Sequence, residues 1–105
     1  MTPEEHYQKG MEYFGEDRLE QAIDELTQAV SKNPNFGDAL NALTMCYYHH
    51  GNFDEALKYG RQFSVLEPTN PLAYTSLSMI YNAKGMIQEA EDMGAQAKTT
   101  EQSTD

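Results

Sequence analysis

Residues 38–56 read Asp38-Ala39-Leu40-Asn41-Ala42-Leu43-Thr44-Met45-Cys46-Tyr47-Tyr48-His49-His50-Gly51-Asn52-Phe53-Asp54-Glu55-Ala56. Leu40, Leu43 and Tyr47 recur at three- and four-residue steps, so they line one stripe of a helix. Gly51-Asn52 interrupts the run, and glycine suits the left-handed residue that closes a helix. Beyond it Phe53, Ala56, Leu57, Phe63 and Leu66 start a second apolar stripe at helical spacing. The stretch is two helices joined by a tight turn.

The same unit stands on both sides of it. Shifting the sequence by 34 aligns Tyr13, Tyr47 and Tyr81, then Ala22, Ala56 and Ala90, then Met11, Met45 and Met79. Leu19, Phe53 and Ile87 align as large apolar residues, Gly10, Thr44 and Ser78 as small ones, and Pro34 meets Pro68. So many coincidences at one ungapped offset define three units, 3–36, 37–70 and 71–104. In the first unit Leu19, Ala22, Ile23, Leu26, Ala29 and Val30 trace the inner face of its second helix. Thr2-Pro3-Glu4-Glu5 is a capping box with proline at the first helical position, and Asn70-Pro71 repeats the cap-plus-proline start. Gly15-Glu16-Asp17, Gly51-Asn52 and Gly85 mark the turns inside the units. Asn33-Pro34 and Glu67-Pro68 end the second helices, because a residue before proline resists the α region. Six helices follow.

Composition narrows the class. The chain has 105 residues, 17 acids against 7 bases, a formal charge of −10 and one cysteine. One cysteine excludes an internal disulfide framework. No run approaches the length of a membrane span, and the acidic start Met1-Thr2-Pro3-Glu4-Glu5 is unlike a signal peptide. The expected compartment is the cytoplasm. A strongly acidic chain is repelled by nucleic acid and by anionic membrane.

A 34-residue helix–turn–helix with this pattern resembles the tetratricopeptide repeat, whose signature runs Trp, Leu-Gly, Tyr, Ala, Phe and Pro. The tryptophan place holds His6, Leu40 and Tyr74. The Leu-Gly pair is Lys9-Gly10, Leu43-Thr44 and Leu77-Ser78. The tyrosine place is Tyr13, Tyr47 and Tyr81, and the alanine place Ala22, Ala56 and Ala90. The phenylalanine place is Leu26, Gly60 and Gly94, and the proline place Pro34, Pro68 and Gln102. The resemblance covers about residues 3–98. It implies an all-α solenoid of three stacked hairpins, six antiparallel helices in a right-handed superhelix, forming a single domain over 1–99. Residues 100–105 read as a polar tail, frayed from Lys98 onward.

Two departures stand out. Gly60 and Gly94 replace a bulky residue in mid-helix, where glycine costs about 1 kcal/mol against alanine. Either neighbours fill that space or these helices are loose. The last helix is also thin, with Ile87, Ala90, Gly94 and Ala97 as its expected inward residues.

The resemblance implies that the first helix of each unit lines a concave groove. The residues there would be Glu4, Tyr7, Met11 and Phe14, then Asp38, Asn41, Met45, Tyr48 and His49, then Leu72, Thr75, Met79 and Asn82, with contacts expected from Tyr7, Met11, Phe14, Asn41, Met45, Tyr48, Thr75, Met79 and Asn82. Tyr7, Met11 and Phe14 lie at i, i+4 and i+7, one stripe, which the other two units repeat. The inward stripe is already supplied by His6, Gly10, Tyr13, Leu40, Leu43 and Tyr47. An apolar row left over beside carboxylates marks an interaction site, and methionine adapts to varied partners. The other reading is that the units curl and bury the methionines among themselves. The family's grip on acidic chaperone tails uses basic and amide side chains at places that here hold Tyr7, Met11, Ala42, Leu72 and Ser76, so that partner is not expected. An apolar or basic peptide, or an amphipathic helix, fits better. Unit one, with eight acids and three bases, is the most acidic.

Catalytic chemistry is sparse. His49 and His50 are adjacent and point about 100° apart on a helix. Cys46 and His50 at i, i+4 supply only two of the four ligands a structural zinc needs. No phosphate loop and no nucleophile–histidine–carboxylate spacing is present. The expectation is a non-enzymatic adaptor, without cofactor or metal, that binds a peptide or helix of a partner protein. The alternatives are a subunit that associates, with itself or with others, through the solenoid ends, and a small chaperone for a secreted partner.

Overall fold

A computed structural model describes residues 1–102, which form α1 (Pro3–Gly15), α2 (Leu19–Lys32), α3 (Gly37–His50), α4 (Phe53–Leu66), α5 (Pro71–Ala83) and α6 (Ile87–Gln102). Each helix packs on the next, and α1 also touches α3 as α3 touches α5. The first helices therefore run side by side along one face of a body measuring 38 × 31 × 20 Å.

The helix starts follow from their caps. Thr2 and Glu5 form the reciprocal capping box, with Glu5 N–H to Thr2 Oγ1 at 3.1 Å and Thr2 N–H to Glu5 Oε1 at 2.9 Å. Asn52 Oδ1 accepts from Glu55 N–H and Asn70 Oδ1 from Leu72 N–H. The turn residues differ from expectation in the first unit. Gly51 and Gly85 are left-handed, at φ 85° and 78°, but Gly15 is the last residue of α1 and is not. Asp17, which shares the register of Gly51 and Gly85, takes the left-handed place at φ 60°. Aspartate tolerates that region better than most residues.

The interior is a row of three clusters, not one core. Ala22, Leu26, Ala42, Leu43 and Cys46 bind the first hairpin to α3. Leu40, Phe63 and Ala73 join the second hairpin to α5. Leu77, Tyr81 and Ala90 close the third, with Leu57 of α4 against them. Each fully buried leucine contributes about 1.5–3 kcal/mol. His6 occupies the tryptophan place as a buried side chain, yet it is more than packing, because its Nδ1 lies 2.8 Å from Glu25 Oε1 and ties α1 to α2.

Small residues permit the close approach inside each hairpin. A Cβ on Gly10 would sit 2.7 Å from Leu26 Cγ, so α2 packs here too closely for a side chain on α1. In the third unit Ser78 Oγ donates to the Ala90 carbonyl at 2.7 Å across the same place. Gly60 is filled from outside: its absent side chain is replaced by Leu77 Cδ2, Thr44 Cγ2 and Ile80 Cδ1. Gly94 has only Ser78 Oγ, 3.7 Å from where a Cβ would lie.

The end of the chain departs from expectation twice. α6 continues as helix to Gln102, with Thr100 buried and its Oγ1 bonded to the Gln96 carbonyl, so no frayed tail begins at Lys98. Ser103, Thr104 and Asp105 of the expected tail lie outside the described residues. Ile87, expected to face inward, is 54% exposed, and Met93 packs on the third cluster instead. Met93 stands between Ala90 and Ala97 on the helical stripe, so the buried face of α6 is 90–93–97–100.

Candidate peptide-binding groove

The first helix of every unit buries one stripe against its own second helix and turns a neighbouring stripe away. Seven of the nine candidate residues, Tyr7, Met11, Phe14, Asn41, Met45, Tyr48 and Met79, are half-buried, while Thr75 and Asn82 are exposed. The methionine row is thus neither sealed nor free. Tyr7, Met11 and Phe14 rest on the first cluster with part of each side chain in solvent.

Contacts between side chains link the row across helices. The Tyr7 and Phe36 rings stand 5.2 Å apart with their planes inclined by 45°. Phe14 on α1 meets His49 on α3 at 5.9 Å, and Tyr48 meets His49 and Phe53 at 5.4 and 5.8 Å. Ser76 Oγ on α5 lies 3.8 Å from Met45 Sδ on α3. Thr75 Oγ1 turns back to the Pro71 carbonyl. The row therefore has an aromatic–acidic end at Tyr7, Phe36 and Asp38, a sulfur-rich middle, and an aromatic–histidine end at Phe14, Tyr48, His49 and Phe53. Phe36 and Phe53 are not among the nine candidates, and the spacing places Phe53 only on the apolar stripe of the second helix. They lie outside the first-helix stripe, and only the fold folds the turn and the start of α4 against it.

Polarity within the row is sparse. Asn41 Oδ1 is buried without a hydrogen-bond partner among the described residues. Burial, with the charge of Asp38 beside it, pushes the Tyr7 hydroxyl above its ordinary range. Cys46 is fully buried, and desolvation pushes its thiol up to about 11, so it is a packing residue without thiolate character. His50 is exposed, 3.7 Å from Glu20. Among the described residues no three His, Cys, Asp or Glu side chains are grouped to hold a metal ion, and no helix is long and apolar enough to cross a membrane. A second concavity of about 540 Å³ lies between the α2–α3 turn and α4, lined by Pro34, Leu40, Arg61, Val65 and Leu66 among others. None of the nine candidates borders it.

The comparisons agree with this architecture. The tetratricopeptide-repeat family profile matches residues 13–59. Hsp70-Hsp90 organizing protein 3 of Arabidopsis thaliana is 31% identical over 85 residues, spanning 81% of this chain and 14% of that protein. The crystal structure of MamA superposes with a TM-score of 0.93 at 29% identity, over 96% of this chain and 59% of that one. The chain therefore spans less than two thirds of either relative. The second TPR of Spaghetti (RPAP3), bound to an HSP90 peptide, shares the fold with a TM-score of 0.90 at 18% identity, over 95% of this chain and 93% of that one. The 34-residue register, the six helices and these likenesses support a tetratricopeptide-repeat protein, and three repeats fit the six helices.

Proposed function

We propose that the chain is a non-enzymatic binding module that receives a peptide or helix of a partner protein along α1, α3 and α5, through Tyr7, Met11, Phe14, Asn41, Met45, Tyr48, Thr75, Met79 and Asn82. The observation that carries the reading is the half-buried methionine and aromatic row, which the inward stripes of the same helices do not need. A flexible sulfur-bearing surface flanked by aromatic rings suits an apolar ligand segment. The net charge of −10 favours a basic one. Relatives of the chain include an Hsp70-Hsp90 organizing protein and a repeat domain bound to an HSP90 peptide. Here, however, the places that would grip an acidic tail hold Tyr7, Met11, Ala42, Leu72 and Ser76, none of them basic. The partner we expect is apolar or basic, not an acidic tail.

The test uses Met45→Glu and Tyr48→Ala in the full chain against peptides selected from a random library. Loss of capture in both variants, with helix content unchanged, supports the groove. Wild-type capture by both would sink it. A second reading, association through the solenoid end, draws on Ile87, an exposed apolar residue on α6. Light scattering on the chain and on Ile87→Lys separates the two, since a concentration-independent monomer ends the second reading.

A further inference from the structure

Two aromatic rings meet near the starts of α1 and α3, the helix starts that also carry Glu4 and Asp38. The Tyr7 and Phe36 rings form a wedge, inclined by 45° at 5.2 Å, and both residues are half-buried. Glu4 stands one helical turn before Tyr7 on the same face of α1. Asp38 stands two residues after Phe36, and its charge reaches the Tyr7 hydroxyl. Glu4 and Asp38 are exposed, and neither forms an ion pair among the described residues. Asn41 Oδ1, the buried acceptor without a partner, lies one turn beyond Asp38.

A second ring pair stands between α3 and α4. Tyr47 and Tyr59 stack at 5.7 Å with nearly parallel rings, and the charges of Glu55 and Asp24 act on Tyr47. There the ammonium of Lys58 stands 5.1 Å over the Tyr59 ring. Lys58 is the chain neighbour of Tyr59 on α4, so this contact shows only that an ammonium stands over the face of a ring in such a pair. At the Tyr7–Phe36 wedge no cation of the described residues lies over either ring. Lys32, the base nearest to Phe36 in sequence, is turned to the Met1 carbonyl.

We propose that the Tyr7–Phe36 wedge, with Asp38 and Glu4, takes the cationic side chain of an arginine or lysine in the peptide ligand of the groove. The negative ring faces attract the cation, and the carboxylates neutralise it at an exposed rim. Arginine is the better fit, because its planar guanidinium stacks on a ring while its edge meets a carboxylate. The site deepens the groove reading and rests on it. It also gives the ligand a direction, with its basic residue over α1 and α3 at this end and its apolar residues on the methionines.

The test is a nuclear magnetic resonance titration of the full chain with N-acetyl-arginine methylamide, and with N-acetyl-norleucine methylamide as the uncharged probe. The arginine probe is expected to shift the Tyr7 and Phe36 ring signals saturably in the millimolar range. Its affinity should fall by about five-fold in Asp38→Asn and again at about 0.5 M salt. Glu12→Gln, at an exposed carboxylate of α1 outside the wedge, should leave it unchanged. Equal shifts by both probes, or an arginine response that Asp38→Asn does not weaken, would overturn the proposal. Failure of the groove itself reads differently, as peptide capture that survives Met45→Glu, a residue the small probe does not need.

Discussion

Gly60 and Gly94 occupy the same register of α4 and α6, yet they do opposite things. At Gly60 three side chains converge on the space a Cβ would take, Leu77 and Ile80 from the following repeat and Thr44 from its own. At Gly94 only Ser78 comes within 4 Å. The first glycine is a packing requirement set by the next repeat. The second stands where no described repeat follows, and carries the helix penalty of glycine without the close packing. The repeat therefore assigns a residue its place, and the neighbour decides what that place needs.

The largest effect should come from restoring a bulky residue at Gly60. Gly60→Leu should destabilise the chain by about 1–3 kcal/mol through overpacking, read from urea melts. Adding Thr44→Ala should recover part of it, and strict additivity of the pair would show that Thr44 is not the neighbour that matters. Gly10→Ala comes next, with a net loss of about 1 kcal/mol, because its Cβ would press on Leu26 Cγ while the helix gains propensity. Gly94→Ala should go the other way and stabilise by about 1 kcal/mol, raising the melting temperature by roughly 4–8 °C. A loss at Gly94 would erase the contrast between the two helices. The smallest change is expected for Asp17→Gly, a gain of about 0.5 kcal/mol, since glycine already fills that left-handed register at Gly51 and Gly85 and its greater unfolded-state entropy offsets part of the relief.

The repeat, the six helices and the proline and asparagine boundaries were legible because they rest on local physics: spacing, caps and turn residues. The alternatives left open at Gly60 and Gly94 could not be decided in the same way, because the answer lies in whether side chains of a following repeat converge on the place. Ile87 aligned with Leu19 and Phe53 and so looked inward, yet on α6 it is exposed. The left-handed turn residue of the first unit was readable from the register, since Gly51 and Gly85 both map onto Asp17, but the nearby Gly15 drew the assignment by its type. In the candidate groove the first-helix stripe was visible as a period, whereas Phe36 and Phe53 join it only through tertiary ring contacts. The partial burial of the methionines depends on how far the helices lie apart, which no spacing encodes.

Cys46 gives the molecule a property of another kind. Its sulfur is sealed in the cluster that binds the first hairpin to α3, and its thiol is held at about 11. A thiol reagent at neutral pH can reach it only when that one junction parts. The trapping rate would then report the opening of the first junction, undisturbed by fraying of α6 at the far end. A stack of repeats that unzips from its C-terminus would keep this thiol silent until late, so the order in which the junctions open is written into the time course of a single sulfur.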